Sequence, residues 1–412
     1  MYHTIVVGAG PAGLAAAFSL AALGQRDFLI IERGKPLADR QRACSADVPS
    51  GVGGAGLYSD GKFSFFPSAT WLWHHLTTQH LQQAYEWLSA TLNSYGIAPP
   101  PFTTQPLKQA SDNVFKAYPS FYMDFKKRYQ LTEEWSQQFA TNTLTNVTVI
   151  NISKNNFRYC VTTTAGTYFA KNIVMATGRM GPLQLSGFDM PIRQAFQRIE
   201  VGVRIKGPHS HPFFLKLQHH GNFLDPKYIL NHPENPRVSW RTFCFCKRGE
   251  IMDSGSDGYV TLSGRADCPP TQESNIGFNT RIKLAYPSHV LPKLAMPFCI
   301  KLSEVYAHPE ILSQYYHPAL AEQVATGFFE LKKHFNLVDV SELEIAGPTI
   351  EGVGEYPIVN SQLETEHAGF YVVGDALGLF RGLTAALLSG HYIGQQIMQS
   401  HSVVLTQKIV NL

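Results

Sequence analysis

The stretch that most constrains this chain is Thr4-Ile-Val-Val-Gly-Ala-Gly-Pro-Ala-Gly13, with the small and apolar run Leu14 to Leu23 behind it. Ile5, Val6 and Val7 are continuous and β-branched, as suits a parallel strand covered on both faces. Gly8 permits a sharp turn, Gly10 lets backbone approach a pyrophosphate, and Gly13 lets a helix lie close to the strand. Pro11 and Ala12 open that helix, whose N–H groups and positive end attract phosphate. A second strand, Phe28 to Ile31, ends in Glu32, where a carboxylate accepts from ribose hydroxyls. Strand, turn, helix, strand and acid in this order read as a dinucleotide site. The alternative is a glycine-rich turn in an α/β protein with no ligand, and the stretch does not distinguish NAD from FAD.

A second glycine segment follows: Gly51-Val-Gly-Gly-Ala-Gly-Leu-Tyr-Ser-Asp-Gly-Lys62. Each glycine loses much backbone entropy on folding. Such density is best explained by a bulky planar group lying against Gly53, Gly54, Ala55 and Gly56. A mobile surface loop would be richer in serine and would lack Leu57 and Tyr58. Between the two segments, Arg33 opens a turn and residues 37–52 read as polar loop. Arg33 and Arg42, with Arg40 beside it, are candidates to reach a pyrophosphate; solvated arginines are the alternative.

The chain of 412 residues suits two domains, or one large domain with an insertion. Apolar spacing predicts a helix over 71–95, ended by Pro99 to Pro101, and helical structure over 111–139 interrupted at Pro119. A strand at 147–152, a hairpin over 157–169 and a buried strand at 173–178 follow. Residues 200–345 alternate strands and turns. The strongest strands, 200–205 and 238–246, alternate in the manner of an antiparallel sheet with one covered face. A helix is expected at 319–335, turns at 351–360, a last core strand at 370–375 and a last helix at 383–400.

A net charge of +3 is too small to argue for nucleic acid, and the basic cluster Lys126-Lys127-Arg128 reads as a solvated helix face. Aromatic content of 12% allows an apolar substrate pocket, with core packing the plainer use. The first apolar run has no basic segment before it, so no secretory leader is read there, and no segment has the apolar length of a membrane span. Six scattered cysteines fit a reducing, cytoplasmic setting. His74-His75, His209 with His211, and His219-His220 lack acids or cysteines at ligand spacing, so no metal is expected.

Near the C-terminus, Phe370-Tyr-Val-Val-Gly-Asp375 is a hydrophobic strand running into a Gly-Asp turn, and Gly382-Leu383-Thr384 begins a helix. An acid there can accept from a ribityl hydroxyl, and the helix can aim its positive end at the N1–O2 side of a flavin. The physics alone also allows a second phosphate site. Taken together, the turn at Gly8, Gly10 and Gly13 with Glu32, the mid-chain Ala176-Thr-Gly178, and Gly374-Asp375 resemble FAD-dependent oxidoreductases with the glutathione-reductase-type FAD fold. Within that class, Gly53 to Lys62, Val201 to Arg204 and Arg241 to Cys246 with Gly249 are similar to a family of FAD-dependent dehydrogenases carrying a GGAGxxSDGK loop.

The resemblance implies an α/β fold: a discontinuous FAD/NAD(P)-binding Rossmann-like domain (1–70, 140–200 and 345–412) with an inserted mixed β/α substrate or cap domain (71–139 and 201–344). It implies one noncovalent FAD. Glu32 would take the adenosine ribose, backbone near Val147 the adenine, and Asp375 the ribityl or pyrophosphate part. Thr177 and Gly178 would pass close to the cofactor, and Gly54 to Lys62 would run beside the isoalloxazine. Tyr58, Lys62, Arg204 and Arg241 become catalytic candidates because they sit in the family-like segments; packing, a surface partner and structural ion pairs are their plainer roles.

No second G-x-G-x-x-G with an acid behind it occurs, so NAD(P)H is expected at most as a transient electron donor. The paired redox cysteines of disulfide reductases and the Asp-Gly motif of aromatic hydroxylases are missing. Cys244 and Cys246, two apart on a strand, are expected to point to one face as small buried hydrophobes. The expected activity is hydride transfer between flavin N5 and a small organic substrate. A monooxygenase and a non-catalytic flavin sensor or scaffold are the alternatives. Oligomeric state is left open.

Overall fold

A computed structural model of the chain describes residues 1–105, 118–155, 158–218, 227–285 and 290–410. Residues 111–117 of the expected second helical stretch, and His219-His220, lie outside them. The chain divides into two compact units. The first comprises Met1–Pro106, Met123–Ala195 and Tyr356–Leu412, the second Leu107–Tyr122 and Phe196–Glu355.

The first unit is built on β1 (Tyr2–Val7), α1 (Pro11–Ala22) and β2 (Phe28–Ile31). After them come α2 (Gly54–Tyr58), β3 (Lys62–Ser64), α3 (Thr70–His75) and α4 (Thr78–Ser94). The glycine segment expected as loop therefore holds one helical turn, which buries Leu57 and Tyr58. The helix expected over 71–95 is two, because Leu76 takes extended backbone and buries its side chain, and Leu81 N–H restarts the ladder on the Thr77 carbonyl. After β4 (Ser120–Tyr122), which belongs to the second unit, the chain returns to the first, where Asp124 caps α5 (Phe125–Gln138) by accepting from Lys127 N–H.

The remaining strands of this part are β5 (Thr143–Leu144), β6 (Val149–Asn155), β7 (Arg158–Thr163) and β8 (Gly166–Met175), followed by the short α6 (Pro182–Leu185). The sheet order is β5-β2-β1-β8-β7-β6. β1 pairs in parallel with both β2 and β8, and Val7 stands level with Ile31 and with Met175. Covered on both faces, β1 and β2 read as continuous apolar runs, and Ile5, Val6 and Ile30 have no exposed surface.

The second unit carries β9 (Gln194–Pro208), α7 (Pro212–Gln218), β10 (Ile229–Asn231), β11 (Val238–Cys246), β12 (Glu250–Asp253), β13 (Leu262–Arg265) and β14 (Glu273–Ile282). Then come β15 (Phe298–Lys301), α8 (Leu302–Ala307), α9 (Pro318–Phe335) and β16 (Glu344–Pro357). Its main sheet runs β10-β11-β14-β9-β16-β15, and β12 and β13 form a hairpin. On one face Ile199, Val201, Val203 and Ile205 are fully buried. On that side Phe278 meets Phe328 of α9, and the Trp240 indole donates to the Gln323 carbonyl at 2.8 Å.

Two expectations fail in this unit. β16 runs through the region expected as turns, where Gly352 lets the Glu200 backbone lie close. β11 is bulged between Phe243 and Cys246, with Cys244 at φ 46°. The bulge breaks the alternation, so Cys244 and Cys246 do not share a face as a regular strand would require.

The chain returns to the first unit with β17 (Phe370–Val372), which pairs with β8 in parallel, and ends in α10 (Leu383–Val410). β8 is thus one long strand that pairs with β7 along its first half and with β17 along its second. The sequence divides it into a hairpin arm and a separate strand. Residues 71–106 and 123–139, expected with the inserted domain, group with the first unit. There Tyr85 of α4 meets Phe65, and Trp135 of α5 meets Phe18 of α1.

Candidate functional site

Four glycine turns meet at the edge of the first unit's sheet where β1, β2, β8 and β17 end. Gly8 lies so close to the Ala176 carbonyl that a side chain there has no room. Gly53 N–H donates to the Ala9 carbonyl at 2.8 Å, which lays the second glycine segment on the first. A methyl on Gly374 would lie 3.1 Å from the Ala12 Cβ. One on Gly56 would meet Leu383 at 2.6 Å and Pro11 at 2.9 Å. Thr384 at the start of α10 accepts from Ser64 N–H. Gly8, Gly10, Pro11, Ala12, Gly53, Gly54, Ala55, Gly56, Thr177, Gly178, Gly374, Asp375, Gly382, Leu383 and Thr384 therefore belong to one neighbourhood of the fold.

Its chemistry suits an anionic, hydroxyl-bearing ligand. α1 has no acid in its first turn and no side chain capping it, so its N-terminal N–H groups are left for an anion. Gly10 has extended backbone (φ −74°, ψ −177°), and a methyl on it would find its nearest neighbour 3.8 Å away. The position is open to close backbone approach. Nothing lies within 4 Å of where a side chain would start at Gly178 or Gly382. The Thr177 hydroxyl is buried without a partner among the described residues. Asp375 is partly exposed and accepts from Arg381 Nε at 3.2 Å.

Glu32 does more than the sequence predicts. It is buried, and its carboxylate accepts from the N–H groups of Ala9 at 2.8 Å, Gly34 at 2.8 Å and Gly51 at 2.9 Å. One side chain thus ties the first turn to the loop after β2 and to the second glycine segment. A carboxylate offers about four acceptor positions, which leaves one for a ribose hydroxyl. The Val147 N–H donates to the Glu32 carbonyl, so only the Val147 carbonyl remains for an adenine.

The arginines divide differently from the expectation. Arg40 is buried and donates to the carbonyls of Asp47, Val52 and Gly54, holding the loop from inside and not sitting in solvent. Arg42 stacks on Phe125, 4.7 Å from the ring centre. Arg33 directly follows Glu32, in the bend after β2. Tyr58 is buried against Phe125 at 5.8 Å with Arg40 over its ring; burial pushes its phenol above the ordinary value, against the pull of Arg40. Lys62 opens β3 and is half-buried.

In the second unit, Arg204 and Arg241 project on the face of the main sheet opposite α9. Arg204 is fully buried and donates to Asn275 Oδ1 and to the Cys244 carbonyl, each at 2.6 Å. Arg241 pairs with the buried Glu200. A cavity of about 370 Å³ opens on this unit, bounded by Lys206, Glu250, Glu273, Cys299 and Asn275, the acceptor of Arg204, among others.

No protein-family model matches the sequence, and no curated protein sequence matches it. Among solved structures, the chain is similar to CtdE in complex with FAD and a substrate, at 11% identity and TM-score 0.42, covering 97% of this chain and 84% of that one. It is similar to a flavoprotein/dehydrogenase from Cytophaga hutchinsonii at 13% identity and TM-score 0.43, covering 97% and 78%. A salicylate hydroxylase substrate complex matches at 12% identity and TM-score 0.41, covering 95% and 77%. Likenesses this distant carry no argument for the chemistry of this chain, which rests on its own residues.

Sequence reasoning misses Arg128. Assigned to a solvated face, it is buried on α5 and donates to the carbonyls of Leu57 at 3.2 Å, Ser59 at 2.9 Å and Met123. Gly61, at φ 74°, lies against this guanidinium, and no side chain fits there. Arg40 and Arg128 hold the glycine segment from its two ends. The available signal was a glycine-dense segment whose carbonyls need donors once buried, but sequence does not say which arginine supplies them.

Proposed function

We propose that this chain is a flavoprotein oxidoreductase that binds one FAD noncovalently at the glycine edge of its first unit and acts on a small organic substrate. The observation that supports this is the meeting, within one unit, of the uncapped α1 N-terminus, Glu32 and the Gly374-Asp375 turn. A lone phosphate site needs the first of these; an extended cofactor with an adenosine at one end and a polyhydroxy chain at the other needs all three.

In this reading Gly8 to Gly13 face the pyrophosphate, Glu32 keeps its remaining acceptor position for the adenosine ribose, and Asp375 takes a ribityl hydroxyl. Gly53 to Gly56 and the Thr177-Gly178 turn border the cofactor. α10 opens at Leu383 with no acid in its first turn, so its N-terminal end suits the flavin N1–O2 side. The bound flavin supplies two-electron chemistry at N5. The protein's part is to hold and orient it, and Arg40, Arg128 and Glu32 do so by keeping the glycine segment in one shape.

Hydride transfer is the finer reading, with NAD(P)H as a transient donor where the reaction runs as a reduction. FAD-loaded protein mixed anaerobically with candidate substrates should bleach at the flavin absorbance bands. NADPH-dependent oxygen consumption with a hydroxylated product would instead establish a monooxygenase. Flavin that dithionite reduces but no substrate or nicotinamide does would establish a sensor or scaffold.

A further inference from the structure

The polar face of the second unit's sheet is built around one buried carboxylate. Glu200 on β9 has no exposed surface, and three guanidinium groups converge on it. Arg198 Nε reaches it at 3.2 Å, Arg281 Nη2 at 3.1 Å, and Arg241 pairs with its other oxygen. The three guanidinium groups share this one carboxylate. Glu200 raises the Arg281 pKa most, yet burial together with Arg241 and Arg198 outweighs it and holds Arg281 below the ordinary arginine value.

The donors are not used up. Arg241 gives only its Nε to Glu200, and Arg281 gives its Nε and Nη2. Both Nη groups of Arg241 and Nη1 of Arg281 have no acceptor among the described residues. Their side chains are 10% and 28% exposed, so the groups are reachable. Asn279 stands directly opposite Arg241 in the β11–β14 pair, two residues from Arg281 on the same face. It is fully buried, its Oδ1 accepts from the Thr349 hydroxyl, and its Nδ2 has no partner among the described residues. An unsatisfied buried donor of this kind is costly unless something fills it.

Phe243 adds an apolar surface. Its ring lies over Gly277, with the Arg241 guanidinium 5.6 Å and that of Arg204 5.9 Å from the ring centre. A planar fork of N–H donors, an amide donor and an aromatic ring match a carboxylate on an apolar body.

We propose that Arg241, Arg281 and Asn279 bind the carboxylate of a monoanionic organic acid, with its apolar part against Phe243. As the substrate of the flavoprotein this acid deepens the reading above, but its binding is measurable without turnover. The probes are benzoate, its neutral isostere benzamide, and inorganic phosphate, titrated calorimetrically into FAD-treated protein whose flavin content is read from the same sample. Benzoate should bind about tenfold or more tightly than benzamide, as a charge-assisted contact requires.

Arg241→Met and Arg281→Met should each remove that preference, while far-UV circular dichroism and the melting point in buffer confirm that the variants fold. Should either variant fail to fold, Asn279→Leu, which keeps both arginines, should weaken benzoate but not benzamide. Equal binding of benzoate and benzamide, a preference that survives in the folded variants, or binding of phosphate alone would overturn the proposal. Lack of flavin in the sample would sink the cofactor reading and leave this one standing.

Discussion

Gly10 separates folding from cofactor binding better than any other residue of the edge. Gly13 cannot be changed without driving a side chain into the Gly8 carbonyl, and Glu32 serves three N–H groups at once, so variants at either confound the two effects. Gly10 has backbone angles open to any residue and 3.8 Å of clearance. Stripped of flavin, Gly10→Ala should therefore melt at or slightly above the flavin-free parent, since losing a glycine at a compatible site stabilises by about 0.4–1 kcal/mol. Its methyl group would stand where the pyrophosphate must approach, so FAD affinity should fall about tenfold or more. Melting curves and FAD titrations on the same preparations check both halves. Unchanged FAD affinity would remove Gly10 from the site.

At the scale of elements, α10 is tied to α4 by a titratable contact. His391 is buried, stacks on Trp87 at 4.5 Å, and has a ring nitrogen without a partner among the described residues. Burial pushes its pKa down from 6.5 to about 4. In the unfolded chain the ring takes up a proton below about pH 6.5, whereas the folded protein resists until about pH 4. The stabilisation is therefore complete above pH 6.5 and is lost as pH falls toward 4, by on the order of 3 kcal/mol at most. His391→Phe keeps the stacking and removes the titration. Urea midpoints at pH 7.5 and 4.5 should fall further for the parent than for the variant, and equal falls would contradict the assignment.

The same scale explains what sequence could and could not supply. The bounds of β2 and β11 follow their apolar runs, because burial selects such runs along a strand. The break between α3 and α4, the turn of α2 and the bulge at Cys244 do not, since tertiary contacts decide them. The periodicity of α4 and α5 announces a buried face but not the core it joins, and so both were expected with the inserted domain. Arg40 and Arg128 are the residue-level case: their buried role depends on carbonyls that only the folded loop presents.

For the molecule as a whole, motifs separated by most of the chain come together on one sheet edge. Gly8 to Gly13, Thr177-Gly178 and Gly374-Asp375 were legible as one set through their resemblance to FAD-dependent oxidoreductases, and the sheet brings the ends of β1, β8 and β17 side by side. The acting side chains were not, because substrate chemistry leaves no comparable local pattern. Tyr58 packs inside the first unit, and Arg204 and Arg241 lie on the polar face of the second. Among the described residues no helix is long and apolar enough to cross a membrane.

The central claim is that this edge holds FAD, and titrating FAD into flavin-stripped protein tests it most directly. The predicted result is saturation at about one FAD per chain, with flavin fluorescence or absorbance altered on binding and half-saturation moved to about tenfold or more FAD in the folded Gly10→Ala variant. Protein that stays colourless and leaves the flavin spectrum unchanged at saturating FAD would contradict it.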